Sequence, residues 1–236
     1  MLSDPNEIDE EAERSGEIER NTYLTYIREE YDNNLQKAAD LYDITAEKTD
    51  NFRDITAEVI RDDPRIVMIL RFLVKPTISQ MKFGALVGLR STRDYESFDQ
   101  GEVRTPNTDT AESIAAFAAE NLSPEKAPWV FKDNVDEEEA IKWSRLWVSD
   151  KVAEQRAETN YRNARAAEQE QKTIKALKQA GYTRSSHKGL ISSKNDIEVG
   201  TYVPESRVAG EDTKKQTLRI AHLMMLSCLS RTSQWV

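Results

Sequence analysis

The chain has 236 residues, enough for one large or two small cored domains, and its 38% hydrophobic and 32% charged residues make it polar without a disordered composition. The net charge of −9, from 42 acidic and 33 basic residues, does not advertise nucleic-acid binding as a bulk property, although residues 4–19 are strongly acidic and residues 184–194 basic. One Cys excludes an internal disulfide and a Cys-based zinc site, and 8 Gly with 7 Pro leave too few tight turns for an all-β fold.

Residues 1–20 are expected to form an acidic flexible arm or a charged helix. Residues 21–60 carry Leu24, Ile27, Tyr31, Leu35, Ala38, Leu41 and Tyr42 near helical spacing. A second segment places Phe52, Ile55, Val59 and Ile60 likewise, with Asp50 or Asn51 as its expected cap. The longest apolar run, 66–74, is broken by Arg71 and is far too short to span a bilayer. It lies in a helix bounded by Pro64 and Pro76, apolar on all faces and therefore expected at the centre. No apolar N-terminal stretch resembles a signal peptide, so a cytoplasmic protein with no membrane partner is expected.

Residues 77–89 predict a short helix with Ile78, Met81, Phe83, Leu86 and Val87 inward, and Gly84 and Gly88 allowing close approach of a neighbour. Residues 90–110 read as a polar loop and 111–122 as an Ala-rich helix. Residues 136–158 open with acidic residues, as helix N-termini favour, and bring Ile141, Trp143, Leu146 and Trp147 near one another. These Trp residues and Trp129 are expected in the core or in helix packing. Residues 162–182 give the clearest helix, with Gly181 at the C′ position. Beyond it, Ser, Val, Ile and Thr replace the helix formers, and short strands are expected with turns at 194–196 and 204–206. The fold class is thus a mainly α N-terminal region (a helical domain over 21–158) followed, from 159 to 215, by the start of an α/β region.

Isolated motifs carry little chemistry. Ser79-Gln80-Met81-Lys82 fits S-x-x-K, but no partner motif accompanies it, so a helix start with an exposed Lys is the reading. His187 and His222 lack metal-ligand spacing. The acidic run 136–139 reads as a helix-terminal face.

The segment "YRNARAAEQEQKTIKALKQAGY" (161–182), followed by a strand-rich, Lys-containing stretch, resembles the XamI-type restriction endonucleases. So does "PTISQMKFGALVGL" (76–89), and the resemblance spans roughly 60–215. In that family an Arg-Asn helix ends in Gly-Tyr, and a strand unit with Lys-Ala-Asp-Leu leads to Glu-x-Lys, a nuclease core of the PD-(D/E)xK kind. The resemblance implies a type II site-specific deoxyribonuclease acting on double-stranded DNA. It further implies Mg²⁺ held by two carboxylates, a homodimer on a palindrome, and a companion DNA methyltransferase. It makes Glu168 and Glu170 candidate auxiliary acids. Arg162, Asn163, Arg184, Lys188, Lys194, Arg207, Lys214 and Lys215 become candidate DNA contacts.

The chain departs from this pattern after Lys215. There it reads "QTLRIAHLMMLSCLSRTSQWV", with no acidic residue and with the only Cys, Cys228. Adding one nucleotide after the Lys215 codon, with suitable wobble bases, restores Lys-Ala-Asp-Leu and a later Glu-Asp-Lys. Residues 216–236 are accordingly expected to be an out-of-frame tail. The polypeptide is then inactive for want of the catalytic Asp and Glu-x-Lys, and a strand edge near 197–208 is left unpaired. The alternative is a non-enzymatic helical module binding DNA or a protein, with a C-terminal helix burying Leu223, Met224, Leu226 and Leu229.

Overall fold

A computed structural model describes residues 5–97, 103–185, 190–191, 199–203, 207–208 and 216–217 of the chain. The chain divides into two units, 1–161 and 162–236.

The first unit is helical: α1 (Pro5–Lys48), α2 (Ala57–Asp62), α3 (Ile66–Leu73), α4 (Gln80–Leu86), α5 (Thr108–Glu120), a 3₁₀ turn (Pro128–Val130) and the first part of α6 (Glu137–Gln179). Every residue of α3 is buried, as its all-round apolar sequence requires. Around it pack Leu41 and Tyr42 of α1, Ile60 of α2, Phe83 of α4, Ile114 and Ala118 of α5, and Val148 and Val152 of α6. Within this unit α1 and α6 are tied by Tyr31 Oη donating to Asp150 at 2.7 Å and by a two-pronged Arg145–Asp43 pair. Tyr161 meets Tyr23 and Tyr26 edge-on.

α1 ends at Lys48, between the apolar set that closes at Tyr42 and the second one that opens at Phe52. Thr45 and Thr49 hydroxyls turn back onto the carbonyls four residues earlier. Asp50, Asn51 and Phe52 then take left-handed φ of 45°, 52° and 66°. The turn is held by Asn51 N–H to Ala46 O (2.7 Å) and by Trp129 Nε1 to Asn51 O (2.9 Å). Phe52 is drawn into the core beside Tyr42 and Trp129. Asp50 and Asn51 therefore shape a turn instead of capping α2; Thr56 is the cap, its hydroxyl accepting from Val59 N–H.

Arg71, which interrupts the apolar run, is itself buried. Its guanidinium donates to both carboxylate oxygens of Glu96 (2.9 and 3.1 Å), to Ile78 O and to Gln155 Oε1. Thr92 Oγ1 (2.7 Å) and Gln80 Nε2 (2.9 Å) donate to the same carboxylate. Both charges lie almost fully out of water, and the Arg71 guanidinium also sits over the Phe72 ring, 4.6 Å from its centre. The network fastens α3, the entry to α4 and the loop before 97.

α4 departs from expectation on two residues. Ile78, Phe83 and Val87 are buried, but Met81 is 71% and Leu86 53% exposed. A helix of only seven residues covers the core along one narrow line, and Met81 and Leu86 fall outside it. Gly84 meets the expected close approach, since an added Cβ would sit 2.7 Å from Ser91 Cα. Gly88 does not: it has open space and φ of +77°, so its role is conformational.

The two C-terminal helices of the sequence reading are one 43-residue α6, because nothing in 158–162 breaks a helix. Asp136 caps it by accepting from Glu139 N–H at 3.1 Å. Trp143 (64%) and Trp147 (38%) are exposed and so are not core residues, and Leu146 beside them is 48% exposed. The core side of α6 is instead Val148, Val152, Ala153 and Ala157. Trp147 rests on the Lys126 ammonium, 4.8 Å from its ring centre. Trp129 alone of these three is buried.

In the second unit α6 ends as expected, at Gly181 with φ +86°, Tyr182 N–H bonding back to Leu177 O. Then come β1 (Thr183–Arg184), β2 (Leu190–Ile191), β3 (Thr201–Tyr202), β4 (Arg207–Val208) and β5 (Gln216–Thr217). β1 pairs parallel with β3; β4 lies between parallel β2 and antiparallel β5. Leu177 and Tyr202 form a small core with Ile174 and Tyr182. Among the described residues β3 has one neighbour, β1, and β4 has neighbours on both sides, so of the strands within 197–208 only β3 leaves a side unpaired. β5 comes from the first residues after Lys215. The expected turns at 194–196 and 204–206, and Leu223, Met224, Leu226 and Leu229, lie outside the described residues.

Candidate nucleic-acid interface

The chain's acidity is concentrated in one unit. Residues 1–161 hold 20 Lys and Arg against 35 Asp and Glu, a net of −15; residues 162–236 hold 13 against 7, a net of +6. A polyanion is attracted to the second unit and repelled by the first.

Within the second unit α6 supplies most of the described charged side chains. Arg162 and Asn163 are exposed on its surface, and Arg184 is exposed on β1, next to Tyr202 in register. Arg207 stands on β4, paired with Leu190 and Thr217. Lys188, Lys194, Lys214 and Lys215 lie outside the described residues, as do His187 and His222.

Glu168 and Glu170 do not form a shared acidic site. Two positions apart on a helix, they point about 200° apart around its axis. Glu168 receives Arg165 Nη1 at 3.0 Å and Lys172 Nζ at 2.6 Å, one cation on each oxygen. The Lys172 ammonium, and after it the Arg165 guanidinium, hold this carboxyl below its ordinary range. Among the described residues no three His, Cys, Asp or Glu side chains gather as a metal would need. The described donor set therefore does not fit Mg²⁺.

Four basic residues of α6 were missed by sequence reasoning: Arg165, Lys172, Lys175 and Lys178. Their signal was available in the helical period, since 165, 172 and 175 share a face with 168. The S-x-x-K element is structural, as expected: Ser79 Oγ caps α4 by accepting from Lys82 N–H, and Lys82 is exposed.

No curated protein and no solved structure matches the chain. The family model described as XamI restriction endonuclease matches residues 50–223, from the left-handed turn after α1, through both units, to beyond Lys215. That span covers most of the chain, and the protein belongs to the XamI restriction endonuclease family.

Proposed function

We propose that this protein is a type II restriction-endonuclease family member that binds duplex DNA through its second unit. The family match over 50–223 carries this reading, and the net charge of +6 on residues 162–236 supports it. In this reading β1–β5 and the end of α6 belong to an α/β nuclease core. Arg162, Asn163, Arg184, Lys188, Lys194, Arg207, Lys214 and Lys215 contact DNA. The natural context is a homodimer on a palindromic site, with a companion methyltransferase protecting host DNA, in the cytoplasm. Among the described residues no helix is long and apolar enough to cross a membrane.

We further propose that the polypeptide 1–236 does not hydrolyse DNA. Mg²⁺-dependent hydrolysis needs carboxylates converging on one ion. Glu168 is occupied by two cations, and residues 216–236 contain no Asp or Glu. The remaining acidic residues of the second unit besides Glu170 are Asp196, Glu198, Glu205, Glu211 and Asp212.

The test is to incubate the purified chain with plasmid and short duplexes, with and without millimolar Mg²⁺. Retarded migration of duplex DNA with the plasmid left intact is expected. Cleavage at a defined sequence would overturn the inactivity and direct alanine substitutions to those five acids. Absence of any duplex binding would overturn the DNA reading. It would favour the other reading, a helical module that binds a protein, to which exposed Trp143, Leu146 and Trp147 are suited.

A further inference from the structure

Residues 165, 168, 172 and 175 of α6 recur at helical spacing and share one face. Three are basic and one is acidic, and the acid stands between the cations. Glu168 uses one oxygen for Arg165 and the other for Lys172. All three side chains keep contact with water: 32% exposed for Arg165, 46% for Glu168 and 71% for Lys172. Lys175 follows one turn on and is exposed.

Exposed ion pairs of this sort are worth less than about 1 kcal/mol each. They are cheap to exchange, and a phosphate diester is a suitable replacement for a carboxylate: it offers two anionic oxygens to a guanidinium fork or an ammonium. From 165 to 175 the helix advances about 15 Å, while each strand of DNA carries one phosphate per ~3.4 Å of duplex axis. A single helix face thus spans several phosphates.

We propose that the face of α6 bearing Arg165, Lys172 and Lys175 tracks the DNA backbone, and that Glu168 is its built-in counter-ion, displaced when phosphate arrives. The proposal rests on the DNA-binding reading above and adds to it a set of contacts and a regulator of affinity. Glu168 holds the cations extended along one face and subtracts from their attraction for any polyanion. The α6 face then binds weakly where only the backbone is offered. Tight binding is left to sites where further contacts contribute.

The experiment measures binding of the full-length protein to a fluorescent duplex of arbitrary sequence across a KCl series. Glu168→Gln keeps the shape and removes the charge; affinity is expected to rise about threefold to tenfold, the gain from freeing two surface pairs. Lys172→Gln with Lys175→Gln is expected to weaken binding and to flatten the dependence of log K on log salt by about 0.9 per lost phosphate contact. Lys142→Gln, in the first unit, is the control and leaves both unchanged. Helical circular dichroism of each variant guards against lost structure. Unchanged or weaker binding by Glu168→Gln overturns the counter-ion role, and a wild-type salt slope in the double Lys variant overturns the tracking face. If wild-type protein binds no duplex at all, the DNA reading fails with it. If it binds and the α6 variants behave as wild type, only this inference fails.

Discussion

The two units solve different problems with opposite charge. Residues 1–161 carry −15 and close around the wholly buried α3, with a buried ion pair locked into the same core. Residues 162–236 carry +6, and their described core is the small cluster of Leu177 and Tyr202 with Ile174 and Tyr182. Burial of apolar area is the main favourable term in folding, and among the described residues most of it lies in the first unit. Of the second unit's described cations, Arg162, Lys172, Lys175, Lys178 and Arg184 are exposed, where a polyanion can reach them. The lesson is that a net charge of −9 is a sum over two opposite surfaces and says little about either.

The largest effect should come from the Arg71–Glu96 network. Glu96→Ala leaves a guanidinium buried without its anion and is expected to cost about 3–5 kcal/mol, read as a drop in the first unit's melting temperature. A change of a few tenths of a kcal/mol would mean that the network is wet and the contrast between the units overdrawn. Next comes a paired core truncation. Leu70→Ala should cost about 2–5 kcal/mol in global unfolding. Leu177→Ala, though its side chain is equally buried, should leave the main transition nearly in place and instead speed amide exchange in residues 174–185. Equal losses would show that the units unfold as one.

Alkaline titration gives a smaller effect confined to the first unit. Burial pushes the Tyr42 hydroxyl up to about 12, and the bond to Asp150 raises Tyr31 to about 12 as well. The folded state therefore holds these protons more tightly than the unfolded chain, whose tyrosines titrate near 10. The resulting stability is complete below pH 10 and is lost as pH rises from about 10 to about 12. Tyrosinate absorbance followed alongside unfolding should show the two events together; Tyr42→Phe should blunt the loss. Smallest of all is Trp143→Ala. With its side chain largely in solvent it should change stability by less than about 0.5 kcal/mol, whereas Trp129→Ala should cost about 3–5 kcal/mol. A large loss at Trp143 would make that exposed ridge part of an interface.

Much of the helical unit was legible in the chain. The all-apolar stretch at 66–73 could only be central, Ser79 and Gly181 marked helix ends, and the change of composition after Gly181 marked the first strands. Three things were not legible. The turn at Asp50, Asn51 and Phe52 uses left-handed backbone without a glycine, and it is held by local bonds to Ala46 and Thr49 and by the long-range bond from Trp129. The helices at 136–158 and 162–182 carry no signal that separates them, and they form one continuous α6. Trp143, Leu146 and Trp147 have the spacing of a core stripe, but α6 meets the rest of its unit on the neighbouring face. On the candidate interface, the basic residues were partly visible, and the pairing of Glu168 with Arg165 and Lys172 follows from their i,i+3 and i,i+4 spacing on a helix.

By itself the sequence determined family membership, the helical class of the first unit and the division of charge, because these depend on residue type and local periodicity. Tertiary structure alone decided which apolar residues are core and that Arg71 and Glu96 find each other across 25 positions. The physical reason is the same in each case: burial and pairing belong to the partner as much as to the residue, and the partner is chosen by the fold.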